Sequence, residues 1–430
     1  MKSRGQGRTV PASKRRLRKD RGKFISGAPV VACAGCRKKC VHLITQRFAI
    51  YGLVVHCDVV TVLITGASGF VGSRLAYELV VGRGQRVVCL MRGNLATAHQ
   101  RLREMVGAFG ALSEEARRRL LCVSGDVTRE WLGMSAGHYA RLADEVTGVW
   151  HCAGDIALAG ERERLFRVNT HGTANVLQFA ELTAAHCRVV HVSTMAVAGD
   201  RRDGIVLEDD LTDVHGFATH YDASKFQAEQ LVRAWTLRTQ RPAVVLRPSI
   251  VCSDAPAPQG VAGHPLAVFG QMIDVVARGG APGIPAPAQR SGSFRLRLRL
   301  RVSPEATVNI VPDRYATQAM LRIGHDACHE GPRAHTFHVV HGQPTPVRDI
   351  IDVMEAHYPR LRLECVEDVP DPTPAEQFIA QHLTGFFSYS RHRRTYDRTH
   401  ALAATPDLAE PVTIDAAYLR RALGFEGAPA

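Results

Sequence analysis

A run of β-branched and apolar residues, Val60-Thr61-Val62-Leu63-Ile64-Thr65, leads directly into Gly66-Ala67-Ser68-Gly69-Phe70-Val71-Gly72. An amphipathic stretch from Ser73 to Val81 follows, closed by Gly82 and Gly84. The first part predicts a strand buried on both faces of a parallel sheet, and the last predicts a helix. Between them the glycines permit a tight turn and a close approach of backbone to ligand, with the helix N-terminus facing what the turn cradles. This order predicts an α/β chain: a Rossmann-type doubly wound parallel sheet, with a dinucleotide pyrophosphate on the turn. The spacing is G-x-x-G-x-x-G and departs from the G-x-G-x-x-G fingerprint.

A second strand, Arg86-Val87-Val88-Cys89-Leu90-Met91, ends in Arg92-Gly93. An NAD site usually carries an acid here for the ribose hydroxyls. A guanidinium meets a 2′-phosphate with paired, charge-assisted hydrogen bonds instead, which favours NADP(H) over NAD(H). The competing reading is a solvated arginine at a strand end.

Tyr221-Asp222-Ala223-Ser224-Lys225 supplies the chemistry. A helix puts residues four apart on one face, so the Tyr221 hydroxyl is expected near the Lys225 ammonium. A nearby positive charge stabilises a phenolate and draws its pKa down toward working pH, which suits proton transfer at a carbonyl or alcohol oxygen. Taken alone, the pair also fits a solvated helix face.

More segments follow in order: Ser124-Gly125-Asp126-Val127, Trp131-Leu132-Gly133-Met134-Ser135, Val149-Trp150-His151-Cys152-Ala153-Gly154 and Val168-Asn169-Thr170-His171-Gly172-Thr173. After these come His191-Val192-Ser193-Thr194-Met195-Ala196-Val197-Ala198-Gly199, Leu246-Arg247-Pro248-Ser249-Ile250-Val251 and Val311-Pro312-Asp313-Arg314-Tyr315-Ala316. With the turn, Arg92 and the Tyr-Lys pair, they resemble an extended short-chain dehydrogenase/reductase. More narrowly, they resemble its thioester-reductase and fatty-acyl-CoA-reductase branch, the male-sterility type of NAD-binding domain. The resemblance runs from about Val60 to about His341.

The resemblance implies a cofactor site made by Thr65, Gly66, Ser68, Gly69, Phe70, Val71 and Gly72 at the turn and by Arg92 at the ribose. Asp126 and Val127 would lie at the adenine, Ala153 and Gly154 beside the cofactor, and Pro248, Ser249 and Ile250 near the nicotinamide. Asn169 would support the site. Cys152 stands where the family usually has asparagine, and it reads as a small buried residue, as does Cys252. Thr194 takes the catalytic hydroxyl position, with Ser193 as the alternative. Tyr221 would protonate the oxyanion formed by hydride transfer from NADPH, and Lys225 would hold the nicotinamide ribose. The implied reaction reduces an acyl thioester, on CoA or an acyl carrier protein, to aldehyde or alcohol. Rival readings are a ketone or hydroxysteroid reductase, a nucleotide-sugar epimerase or dehydratase, and a non-catalytic dinucleotide sensor.

The formal net charge of +13 first suggests a nucleic-acid partner, but its distribution argues against one for the body. Met1 to Cys57 carries 14 basic residues and one acid, leaving the remainder balanced at 40 basic and 40 acidic. Residues 1–58 therefore read as a basic N-terminal extension, rich in Gly, Ser, Lys and Arg up to Gly27 and expected to be disordered. Lys14-Arg15-Arg16-Leu17-Arg18-Lys19 could meet phosphates or anionic lipid, or direct targeting; an extension without function is favoured. Cys33, Cys36, Cys40 and His42 are zinc-ligand types without a second paired cluster, so no metal is expected. The other cysteines sit in apolar contexts suited to a reducing cytoplasm. No run approaches the ~18 apolar residues of a membrane helix.

The body divides by pattern into a NADP-binding Rossmann domain, 59–252 with a return segment at about 306–325, and a smaller C-terminal substrate-binding or cap region, 253–305 and 326–430. That region contains the loop Ala255-Pro256-Ala257-Pro258-Gln259-Gly260, a helix over Leu266 to Ala277 and the Gly/Pro-rich Gly279 to Pro287. It also contains the strand-like Thr336 to Val340, a helix starting near Pro346, and candidate capping pieces at Arg391 to Asp397 and Tyr418 to Leu423. Phe294 to Val302 alternates arginine with leucine, predicting a strand with one basic face. That face either meets phosphates near the pocket or, the favoured reading, is a solvated edge guarded by charge.

Overall fold

Seven strands form one sheet: β1 (Thr61–Thr65), β2 (Arg86–Met91), β3 (Leu120–Ser124), β4 (Gly148–His151), β5 (Arg188–Val192), β6 (Ala243–Pro248) and β7 (Ala334–Val339). Their order is β3-β2-β1-β4-β5-β6-β7, and every pairing is parallel. The order reverses between β1 and β4, which opens a crevice at the carboxyl ends of the strands. The fold is thus the expected doubly wound α/β sheet. The computed structural model describes residues 60–255, 263–284, 295–327, 329–389 and 391–425. The basic extension, the Cys33, Cys36, Cys40 and His42 group, and most of the Ala255–Gly260 loop lie outside the described residues.

Alternation along the strands explains the layers. Val62 and Ile64 of β1, with Val87 and Cys89 of β2, face one side and pack on Leu75, Leu79 and Leu102. Leu63, Val88 and Leu90 face the other, against Leu142, Val176 and Phe179. Three helices position the cleft: α1 (Phe70–Tyr77), α2 (Gly172–Leu182) and α3 (His220–Thr239). The return segment joins the sheet's core: Ile310–Pro312 pairs in parallel with Ile250–Cys252, and the helix Asp313–Leu321 buries Ala316, Met320 and Leu321 among the first group of strand residues.

A separate apolar core gathers Leu266, Phe269 and Ile273 with Leu298, Leu300, Ile350, Met354, Leu361 and Leu419. Ala306, Val308 and Ile310 of the return segment belong to it as well. Ala334–Val339, placed in the cap region by pattern, is instead the seventh strand of the main sheet, in register with Ala243–Pro248. Its apolar alternation was readable, but pairing across so many residues of chain is a tertiary fact.

The arginine-leucine segment forms a strand, Leu296–Arg301, paired in parallel with Leu361–Val366. Leu298 and Leu300 are buried. Arg297 pairs with Glu364 at 3.1 Å and Arg299 with Glu376 at 2.8 Å, while Arg301 lies 3.9 Å from Asp368. The basic face is answered by acids of the C-terminal region rather than turned toward the cleft.

A buried ion pair joins the sheet to α3. Arg247 of β6 and Glu229 of α3, both 0% exposed, meet through Nη2–Oε1 at 2.6 Å and Nε–Oε2 at 3.0 Å. Arg247 also donates to the carbonyls of Glu208 and Asp210, and Glu229 accepts from Ser193 at 3.0 Å. Removing one partner leaves a charge buried without its counter-ion. Arg247→Met is therefore expected to lower unfolding free energy by about 3–5 kcal/mol in chemical denaturation; a change near zero would show that Glu229 is neutralised or re-paired at no cost.

Candidate active site

A cavity of about 420 Å³ lies between the Gly66–Gly72 turn, the ends of β4, β5 and β6, and the start of α3. Its wall contains twelve of the residues expected from sequence: Gly66, Gly69, Phe70, Val71, Gly72, Gly154, Thr194, Tyr221, Lys225, Pro248, Ser249 and Ile250. The turn is built for close approach. Gly66 has φ +74°, and a Cβ there would sit 2.5 Å from the Ala153 nitrogen; a Cβ on Gly72 would sit 2.2 Å from the Gly66 carbonyl oxygen. No side chain caps α1, and its first turn carries no acid, so the positive end of the helix dipole faces the cleft unopposed. Ser249 contributes a buried hydroxyl with no hydrogen-bond partner among the described residues. An uncapped glycine cradle and an orphan hydroxyl fit a dinucleotide's pyrophosphate and nicotinamide ends.

The remaining expected residues sit behind or beyond the wall. Thr65 is buried; its Oγ1 lies 2.7 Å from His151 Nδ1 and accepts from the Ala153 amide at 3.3 Å. His151 Nε2 lies 2.9 Å from Thr173 Oγ1, which itself donates to the Asn169 carbonyl. These partners assign the proton to Nε2 and make His151 neutral; burial takes its pKa down to about 3, with Lys225 adding to the shift. Asn169 does not reach the cleft. Its amide bridges the Asp155 backbone to Ser224 Oγ, at 3.0 and 2.9 Å, tying the loop after β4 to α3. Ala153 packs against Gly66, and Ser68 is exposed.

Arg92, Asp126 and Val127 lie off the cavity, at the ends of β2 and β3. Arg92 is exposed and Val127 is buried under α2 beside Gly172. Burial works to raise the Asp126 carboxyl, but hydrogen bonds from Thr128 and the charges of Arg92 and Arg129 hold it below the ordinary range.

The catalytic candidates converge. Thr194 ends the strand segment after β5 and caps the turn Met195–Ala198, accepting from the Ala196 amide at 3.2 Å. Thr194 and Tyr221 both line the cavity. Ser193, the alternative from sequence, is committed to Glu229. Lys225 turns its ammonium to the Val192 carbonyl at 2.9 Å. The expected lowering of the Tyr221 pKa by Lys225 is not found: burial pushes the phenol up to about 12, the Thr194 hydroxyl opposes this and the Asp222 charge adds to it. Lys225 is itself pulled down to about 8 by burial, against the charges of Glu229 and Cys152.

Several wall residues were not among the site residues expected from the sequence. Ile156, Leu158, Met195 and Val251 make the cavity apolar. His264 caps the helix Pro265–Ala277, accepting from the Ala267 amide, and burial takes its imidazole down to about 4. Tyr389 enters from the C-terminal region. Cys152 lines the cleft, where burial pushes its thiol up to about 12 against the pull of Lys225. Among the described residues, no cluster of His, Cys, Asp or Glu is placed to hold a metal ion, and no helix is long and apolar enough to cross a membrane.

The family described as male sterility protein, an NAD-binding domain, matches residues 64–313, more than half of the chain. A nonribosomal peptide synthetase of Aspergillus flavus is 26% identical over 300 residues, 67% of this chain and 27% of that protein. A carboxylic acid reductase of Segniliparus rugosus is 33% identical over 193 residues, 41% of this chain and 16% of that protein. The chain thus spans well under half the length of these curated relatives. Among solved structures, the terminal R domain from the myxalamid PKS-NRPS pathway aligns with a TM-score of 0.67 at 21% identity, covering 87% of this chain and 94% of that one. A UDP-glucuronic acid 4-epimerase from Bacillus cereus in complex with NAD aligns at 0.56 and 16% identity, covering 85% and 96%. Both share the fold. With a glycine cradle fitted to a dinucleotide and this family match, the chain belongs to the male sterility protein family of NAD-binding domains.

Proposed function

We propose that this chain is an NADP(H)-dependent reductase of an acyl thioester, carried on CoA or on an acyl carrier protein, with aldehyde or alcohol as product. The observation that carries the reading is that Thr194, Tyr221 and Lys225 line the same cleft as the uncapped glycine turn. A bound dinucleotide supplies hydride to the thioester carbonyl carbon. Tyr221, kept protonated at neutral pH by burial, gives its proton to the oxygen, and Thr194 donates a hydrogen bond to the same atom. The hemithioacetal then loses the thiol, its hydroxyl proton leaving with the sulfur, and the carbon is left as aldehyde. A second reduction at the same hydroxyls yields the alcohol. Lys225, already aligned by the Val192 carbonyl, holds the nicotinamide ribose. Arg92, exposed at the end of β2, meets the 2′-phosphate, with Asp126 and Val127 at the adenosine end. Similarity to a peptide synthetase and a carboxylic acid reductase supports an acyl-level substrate, and the protonated Cys152 fits a mechanism without a thiolate nucleophile.

Purified protein is expected to oxidise NADPH with an acyl-CoA or acyl-carrier thioester and to release free thiol in equal amount. Tyr221→Phe lowers kcat about 10²–10⁴-fold while NADPH still binds; turnover of ketones but never of thioesters would defeat the thioester assignment. The Lys225 pKa is depressed, so its ammonium is present below about 8 and lost as pH rises through that value. NADPH affinity, followed by fluorescence titration, should therefore weaken across that window, and Lys225→Met should weaken it at pH 7 and abolish the step. Arg92→Ala is expected to weaken NADPH about tenfold or more while leaving NADH little changed; equal losses for both cofactors would remove the 2′-phosphate contact.

A further inference from the structure

The two hydroxyls of the site stand on two different elements, and both elements are gripped by one short piece of the C-terminal region. The Tyr389 hydroxyl donates to Asp222 Oδ1 at 2.7 Å. Asp222 is 1% exposed, and it is the acid of a capping box: its Oδ2 accepts from the Thr219 amide at 3.3 Å, and its own amide donates to Thr219 Oγ1 at 3.2 Å. That box sets the first turn of α3, where Tyr221 projects. Five residues after Tyr389, Arg394 donates through Nη1 to the carbonyls of Gly199, at 2.5 Å, and Arg201, at 2.9 Å, and through Nε to Tyr396 at 2.7 Å. Gly199 closes the turn that Thr194 opens. Arg394 is 4% exposed and makes no carboxylate ion pair among the described residues; its charge acts on Asp222 and Tyr389.

We propose that Tyr389 and Arg394 are positioning residues that hold the Tyr221 helix and the Thr194 turn in one register, so that the two hydroxyls meet across the cleft. The helix that carries Tyr389, Pro374–Tyr389, begins with a second capping box, Thr373 with Glu376. The same Glu376 takes Arg299 through Nε at 2.9 Å and Nη2 at 2.8 Å, and the Arg299 amide at 2.8 Å. At about 1.5 Å per residue this helix spans about 24 Å, from the arginine-leucine strand at one end to Asp222 at the other. The alternating segment thus anchors the far end of the strut through Arg299. Removing the Tyr389 hydroxyl leaves a buried carboxylate one donor short, and a misplacement near 1 Å at Tyr221 costs on the order of 10²-fold in rate.

The inference rests on the roles proposed above for Thr194 and Tyr221, and its test separates from theirs. Tyr389→Phe keeps the ring in the wall and removes only the hydroxyl; Arg394→Lys keeps the charge and removes the fork. Each is expected to lower kcat about tenfold or more, with the NADPH dissociation constant unchanged. Asp222→Asn, whose single carbonyl oxygen can accept from Tyr389 or from the Thr219 amide but not from both, should lose less of kcat than Asp222→Ala, which should fall with Tyr389→Phe. Hydrogen exchange of residues 194–199 and 219–225 is measured in parallel, with no substrate present, and is expected to accelerate in Tyr389→Phe. Wild-type kcat in both Tyr389→Phe and Arg394→Lys, or unchanged exchange in both segments, overturns the proposal. If the wild type turns over no thioester, the substrate reading fails and the exchange result alone decides.

Discussion

The Arg247–Glu229 pair is the constraint on which the cleft depends. Glu229 lies one turn beyond Lys225 on α3, and its two carboxylate oxygens serve four donors: both edges of the Arg247 fork, the Ser193 hydroxyl and Arg233. Burying two charges this deeply is costly unless every donor and acceptor finds a partner. The fork meets this condition by reaching past Glu229 to the Glu208 and Asp210 carbonyls. The result is rotational: α3 cannot turn about its axis without stranding a charge, so the face that carries Tyr221 and Lys225 stays toward β5. Ser193 is consumed in this bond, which leaves Thr194 for the hydroxyl role proposed above.

Electrostatics in the cleft follow from burial more than from pairing. Tyr221, Lys225, His264 and Cys152 all shift toward their neutral forms, with desolvation the largest cause in each. A neutral phenol suits proton donation, and a neutral imidazole and thiol keep the cavity free of competing charge. The ammonium of Lys225 is the exception at neutral pH, and the cleft concentrates its field because little else there is ionised.

Local spacing made part of this readable in advance. The glycine turn and the Tyr221-to-Lys225 interval are each set within a few residues, and the twelve wall residues named from sequence sit on such short motifs. What escaped were effects of distance and depth. Tyr389 arrives 167 positions after its partner Asp222, and its sequence neighbourhood gives no sign of the meeting. The partners through which Asn169 ties its neighbours together, Asp155 and Ser224, were hidden in the same way. The Lys225 influence on Tyr221 failed as an expectation because sharing a helix face fixes neighbouring Cα positions, not where a long side chain turns; the Val192 carbonyl offered the ammonium a better acceptor. The arginine-leucine alternation gave the strand correctly, while the acids that answer it come from residues 364–376.

The late arrival of β7 shapes how the molecule can be made. While residues 249–333 are being synthesised, β6 has one neighbour, β5, and its other edge presents unpaired amides and carbonyls flanked by valine and leucine. An open edge of that kind is a template for another strand, in another copy of the chain as readily as in its own. The segment that closes it carries Phe337 and Val339 into the same apolar layer as Trp150, so edge protection and completion of the core occur in one step. Protection of the β6 edge is thus deferred to a segment made 85 residues after that strand ends.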